Sequence, residues 1–388
     1  MDTLCSQAYG ARQYKKMGIF FQTGLIVLFA SIVPIVGVNW YCEDILKYLN
    51  QPPIVAEMAG RFIRLVLPSL PFLFTYELVK KILQAQNIVT PMVYIALIGD
   101  IVIVVLGYIL CYHTSWGFQG AAIARTIGTA VYPVLLIPYF WKTQLHHQFW
   151  AGWDLRQALQ NVAQFLQFGV AGMLMFGFEW WAFEALALLS GLLPNGILAI
   201  SINSVLMNVS TLVYMFYFGV SVAGNVRVGN ALGANQPEHA RCSANICMVM
   251  GFACSLMTAT MLILFRAQIP ALIVNDALTV QKSAGMMYIL AGFQVVDSVN
   301  GSNLGVFRGM GFQVLGAKFN FVAYYLIGLP FAAVLAFPAR LGVAGLWIGM
   351  AAGLAMSCIA TTIVIQKANW PSLAMNATVG QNLKVTKA

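Results

Sequence analysis

Long apolar runs separated by short charged segments constrain this chain more than any other feature. Ten stretches are long enough to cross a bilayer as helices, at roughly 20 residues each. They are Gly18–Trp40, Ile54–Leu83, Met92–Tyr112, Gly117–Trp141, Val162–Leu193, Ile197–Val222, Ala244–Phe265, Ala284–Val306, Phe319–Pro338 and Gly342–Ile365. Transmembrane strands would need about 10 residues of strict alternation, whereas these runs are apolar on every side. The second is the weakest, with Arg61, Arg64, Glu77 and Lys80, but Leu65–Val79 is almost wholly apolar, and Pro68 and Pro71 are expected to kink it. Only 9% of residues are charged and 60% are apolar, against roughly 25% charged in soluble domains. So few charges cannot cover a soluble surface, which argues against soluble enzymes, disordered chains and nucleic-acid partners. The expected fold class is an all-α polytopic membrane protein with ten transmembrane helices in a lipid bilayer.

Orientation follows from the basic residues. With the N-terminus on side one, Lys47, Arg61, Arg64, Arg125, Arg266, Lys282 and Arg340 fall on the other side or inside spans. The remaining 21 − 7 = 14, Lys80, Lys81, Arg308, Lys384 and Lys387 among them, fall on side one. The positive-inside rule makes side one cytoplasmic, with both termini on it. The membrane is either the plasma or the vacuolar one. The opening MDTLCSQAYGARQYKK is polar and reads as an internal loop rather than a signal peptide, and the stretch after Trp370 reads as a polar, flexible tail. The seven cysteines are odd in number and scattered, with no CxxC, so neither a disulfide framework nor a metal site is expected. No cofactor is expected, and no HExxH, Walker loop, GxSxG or EF-hand suggests an enzyme.

The chain repeats itself. Gln7-Ala8-Tyr9-Gly10-Ala11 resembles Asn230-Ala231-Leu232-Gly233-Ala234 at an offset of 230 − 7 = 223. Gly117-Phe118-Gln119-Gly120-Ala121 resembles Gly342-Val343-Ala344-Gly345-Leu346 at an offset of 342 − 117 = 225. Four apolar spans follow each xAxGA segment, which suggests two parallel repeats. Two spans precede the second segment and none the first. Residues 1–160 therefore read as an N-lobe remnant of four spans, and 161–388 as a C-lobe of six spans with a polar tail. Symmetry predicts two further helices, roughly 60 residues, upstream of Met1. A ten-helix protein is the other reading.

The motifs carry a resemblance. Asp2–Ala11 and Val226–Ala234 resemble the loops after the second and eighth helices of multidrug and toxic compound extrusion (MATE) transporters. Phe178-Glu179-Trp180-Trp181-Ala182-Phe183-Glu184 resembles the seventh helix of eukaryotic members. Gly305-Val306-Phe307-Arg308-Gly309-Met310-Gly311 and Tyr324-Tyr325-Leu326-Ile327-Gly328-Leu329-Pro330 are similar to later segments of the same family. The resemblance implies twelve helices, a monomer, and a secondary active antiporter. Such a protein exports organic cations, xenobiotics or metabolites in exchange for protons, with Na+ less expected, by rocking between inward-open and outward-open states around a cleft between two lobes.

Acidic residues inside spans are expensive, by roughly 3 kcal/mol or more each at a helix centre. Glu179 and Glu184 lie in the fifth span, about 140° and about 7.5 Å apart. Either both line a cavity, or one faces a cleft and the other a neighbouring helix. A carboxyl in an apolar cavity can exchange protons near neutral pH and, when ionised, attract a cation, so proton and substrate compete for one charge. Asp297 lies in the eighth span, with Asn300 at i+3 and Gly301, Gly305 and Gly309 following at four-residue steps. That glycine ladder suggests close packing on a neighbour with the polar group facing inward. The resemblance implies that this acidic position is tied to transport. Glu179, Glu184 and Asp297 are thus the coupling and substrate-binding candidates.

Ser201, Ser204, Asn208 and Thr211 form a polar stripe on the sixth span, facing either the cavity or a neighbouring helix. Some animal members of the family carry a glutamate where this chain has Asn208. Trp180, Trp181 and Tyr214 are candidate cavity walls for a cation. Asp100 either belongs to an ion site in the first lobe or pairs with another span. Glu77 is expected to pair with Lys81 at i+4. Two alternatives are a lipid-linked oligosaccharide flippase of the same superfamily and a truncated fragment that does not transport. A flippase for an anionic head group should place several basic residues inside its cavity, and here only Arg125 is near the middle of a span.

Overall fold

The computed structural model describes residues 1–382, which contain helices and no strand. In chain order the helices are α1 Asp2–Gly10, α2 Tyr14–Trp40, α3 Cys42–Tyr48, α4 Pro53–Val66, α5 Leu70–Ala85, α6 Thr90–Tyr112, α7 Phe118–Thr143, α8 His146–Phe149 and α9 Leu155–Gln160. They continue with α10 Val162–Gly191, α11 Gly196–Gly233, α12 Pro237–Leu264, α13 Gln268–Ile273, α14 Ala277–Met310, α15 Gln313–Phe321, α16 Leu329–Ala336, α17 Gly342–Lys367 and α18 Trp370–Asn382. A 3₁₀ turn, Leu67–Ser69, joins α4 to α5, and a π-turn, Val322–Gly328, joins α15 to α16. Pro68 and Pro71 account for the first break, since neither can donate a helical hydrogen bond.

Among the described residues, nine helical segments are long and apolar enough to cross a membrane. The tenth expected span, within α14, has the length at 34 residues but is absent from that set. The reason is its inner face: Gln294, Asp297, Ser298, Asn300, Ser302, Asn303 and Arg308 lower its apolarity, and all are buried in protein. A helix that packs against others on most sides can carry such residues without meeting lipid.

The chain forms two compact units, Thr3–Leu166 and the part from Gln167 onward. In the first, α2 packs on α5, α4 and α5 pack on α7, and α6 pairs with α7. Gly99 and Gly128 let α6 and α7 approach, since a Cβ on either would strike Tyr132 or Ile103. In the second, α14 is central and packs on α11, α12 and α17. The glycine ladder forms the α11 contact as expected. A Cβ on Gly305 would strike the Ser221 carbonyl, one on Gly309 would sit 2.8 Å from the Asn225 carbonyl, and one on Gly301 3.4 Å from the Tyr217 ring.

The repeat is visible in the backbone. Arg12 and Asn235 are both left-handed, at φ 57° and 55°. Around them Ala11 N–H donates to Gln7 O and Gln13 N–H to Ala8 O, as Ala234 does to Asn230 O and Gln236 to Ala231 O. A further pair, Asn87 and Gly311, shares the pattern at an offset of 311 − 87 = 224, with Ile88 N–H bonded to Leu83 O and Phe312 N–H to Phe307 O. Gly117 and Gly342 have positive φ, 50° and 56°, at the starts of equivalent helices, α7 and α17.

Four readings change. The xAxGA segments are the last turns of α1 and α11 rather than loops. The stretch after Trp370 is helical to Asn382, because Trp370, Ala374 and Ala377 make an apolar stripe that packs on Val228, Leu232, Ala240 and Ala244; Lys384 and Lys387 lie outside the described residues. Arg308 does not sit in a loop: it is 5% exposed in α14, donates to Ser221 Oγ at 2.9 Å and lies 4.9 Å over the Phe176 ring. Finally, the ion pair of Glu77 is with Lys80, one position before the expected Lys81.

Candidate functional site

The second unit carries a cleft lined by three helices. From α10 come Glu179, Trp180 and Phe183, from α11 come Met207, Ser210, Thr211 and Tyr214, and from α14 comes Asp297. The α10 residues span one turn. Those of α11 fall at i, i+3, i+4 and i+7, which is one helical face. Both carboxyls are buried, Glu179 at 7% and Asp297 at 3% exposure.

The cleft rests on a buried polar network. Tyr217 on α11 donates its hydroxyl to Asp297 across the α11–α14 seam. Gln294 Oε1 lies 3.2 Å from the same hydroxyl, and Gln294 Nε2 donates to Ser210 Oγ at 2.7 Å. Below this, Ser221 Oγ donates to the Gly301 carbonyl at 2.5 Å and receives Arg308. Asn300 stands apart from the cleft: its Oδ1 accepts from Ser357 Oγ at 3.1 Å, in a chain that continues to Asn320 and the Met175 carbonyl. Tyr214 forms the aromatic wall, edge-on to Tyr217 at 5.2 Å and stacked on Phe218 at 5.5 Å. The result is two carboxyls from different helices beneath aromatic rings, a setting that suits either a cation or protons.

A family model described as MatE matches residues 1–109 and 172–334. The chain is 35% identical over 381 residues to Protein DETOXIFICATION 16 of Arabidopsis thaliana, covering 97% of this chain and 78% of that protein. The chain belongs to the MATE family. It is 32% identical over 386 residues to Multidrug and toxin extrusion protein 2 of Mus musculus, covering 100% of this chain and 67% of the mouse protein. The crystal structure of the eukaryotic MATE transporter AtDTX14 superposes with a TM-score of 0.91 at 31% identity, over 97% of this chain and 84% of that one. This MATE protein is therefore a multi-pass membrane transporter and not an enzyme.

The structure sorts the remaining candidates of this MATE chain. Glu184 is exposed, on another side of α10 from Glu179, and does not line the cleft. Of the α11 stripe only Thr211 reaches it. Ser201, Asn208 and Thr211 bond back to the Ile197, Ser204 and Met207 carbonyls of their own helix, and Ser204 and Asn208 are exposed. Trp180 lines the cleft while 54% exposed; Trp181 does not, and its ring meets Phe178 at 6.3 Å. Asp100 belongs to the first unit, where Tyr132 donates to it at 2.7 Å. Sequence reasoning passed over Ser210, Tyr217 and Gln294. The available signal was spacing: Gln294 precedes Asp297 by three residues, and Tyr217 follows Tyr214 by three, so each shares a face with a residue already singled out.

Proposed function

We propose that this MATE chain is a proton-coupled antiporter that exports organic cations, xenobiotics or metabolites by alternating access. It works as a monomer with both termini cytoplasmic, in the plasma or vacuolar membrane. Glu179 and Asp297 serve proton and substrate in turn. One observation carries the reading: two buried carboxyls from α10 and α14 line one aromatic cleft. An ionised carboxylate there attracts a cation, and a proton arriving from the other side removes that attraction, so the two cargoes displace each other. Among the described residues the cleft lining contains no lysine or arginine, which weighs against an anionic lipid head group. The mouse relative is a multidrug and toxin extrusion protein and the Arabidopsis relative a detoxification protein, which also favours export of toxic compounds.

The test is uptake of a fluorescent organic cation into proteoliposomes holding the full-length transporter. Uptake should follow an imposed pH gradient, stop when an ionophore collapses it, and ignore sodium. Uptake that survives collapse of the pH gradient and tracks a sodium gradient would overturn the assignment.

A further inference from the structure

The ninth crossing changes helix type halfway. α15 widens into the π-turn Val322–Gly328 and narrows again into α16. Pro330 gives the cause: it has no N–H to offer the Leu326 carbonyl, and in regular α geometry its ring would press on that carbonyl. α17 lies flush against the wide turn, because a Cβ on Gly353 would strike the Ala323 carbonyl and sit 2.7 Å from Gly328 Cα. The segment is anchored one turn earlier, where Asn320 Nδ2 donates to the Met175 carbonyl of α10 at 2.7 Å.

Tyr324 sits in this turn. It is 0% exposed, yet its hydroxyl has no hydrogen-bond partner among the described residues. A buried hydroxyl left unpaired lowers stability, and phenylalanine would fill the same space without that cost. The ring lies 6.5 Å from Phe183, which lines the acid cleft one turn from Glu179. Asp297 already has a tyrosine, Tyr217.

We propose that Tyr324 is a positioning residue for Glu179, donating its hydroxyl to that carboxyl in a transport state other than the conformation described here. Each acid then has its own tyrosine, one engaged in the conformation described here and one held back. The inference rests on the reading of Glu179 and Asp297 as the coupling pair.

Tyr324→Phe tests it, measured beside Tyr217→Phe, Glu179→Gln and Asp297→Asn in proteoliposomes and by thermal unfolding in detergent. Tyr324→Phe should melt no lower than the parent while its kcat falls about tenfold, the factor expected for one lost hydrogen bond of ordinary strength, with KM unchanged. A merely structural tyrosine would move the melting temperature and not the turnover. Tyr217→Phe should melt lower, since its bond exists in this conformation. Normal turnover of Tyr324→Phe, with both acid variants inactive, overturns the inference and leaves the antiport reading standing. A lower melting temperature for Tyr324→Phe also overturns it, because the hydroxyl would then have a partner here. Acid variants that transport normally overturn both.

Discussion

The two units treat their acidic residues in opposite ways. In the first, Glu43 accepts from Lys47 at 2.7 Å and from Arg64 at 3.3 Å, Glu57 pairs with Arg61, and Glu77 pairs with Lys80. These pairs are at least partly exposed, where each is worth little. In the second, Glu179 and Asp297 are buried among aromatic rings and polar but uncharged groups around one cleft. The contrast teaches that the first unit's paired charges fasten helices, as Glu43 fastens α3 to α4, whereas Glu179 and Asp297 of the second hold positions that cost stability and so call for another return.

The largest test of that contrast is removal of the buried charges. Glu179→Gln and Asp297→Asn should each cut pH-driven uptake by at least about tenfold, or about 1.4 kcal/mol in the barrier, while melting in detergent no lower than the parent. Normal uptake by both would erase the distinction between the units. Packing gives the next effect. Gly305→Ala, which drives a methyl into the Ser221 backbone, should destabilise the second unit by about 1–3 kcal/mol. Gly37→Ala in α2, with no atom within 4 Å, should be neutral or stabilise by up to about 1 kcal/mol. Chemical or thermal melts of both variants decide it. Smaller still, Glu77→Gln should change stability by less than about 1 kcal/mol and leave uptake nearly intact; a larger transport defect than in Glu179→Gln would place coupling in the first unit.

The smallest effect is a local one. Lys47, hydrogen-bonded to Glu43, holds that carboxyl below its ordinary 4.5. A depressed value means the contribution is present above 4.5 and fades as pH falls through the lower, folded value. Amide hydrogen exchange in α3 should therefore quicken on acidification only below about pH 4.5, with α14 unaffected over the same range.

Much of the architecture was legible because hydrophobic length is a strong and local signal. The span edges fall within a few residues of Tyr14–Trp40, Thr90–Tyr112 and Gly342–Lys367, and the offset near 224 reappears as matched left-handed turns at Arg12 and Asn235. What stayed hidden depends on partners distant in sequence. Tyr217 and Gln294 look like ordinary helix residues until α11 and α14 meet, and a hydroxyl in an apolar run does not announce whether it faces lipid or an acid. Glu179 and Glu184 were inseparable for the same reason: an angle of about 140° on one helix does not say where its neighbours stand. The helix after Trp370 escaped notice because the apolar residues that hold it, Trp370, Leu373, Ala374 and Ala377, are few and spread among polar ones.

α11 is 38 residues long, more than the bilayer needs. Past Val222 it continues for 233 − 222 = 11 residues to Gly233, about 16 Å at 1.5 Å per residue. Its end thus stands about 31 Å from the midplane of a hydrocarbon layer of about 30 Å. There it is stiffened by α18 and by the Gly309 contact of α14. The overhang is a pointer: a tilt of about 5° inside the membrane sweeps its tip through roughly 3 Å. Cys242, exposed in the first turns of the adjoining α12, sits beside that tip, so a dye on this native thiol would display in water a motion generated in lipid.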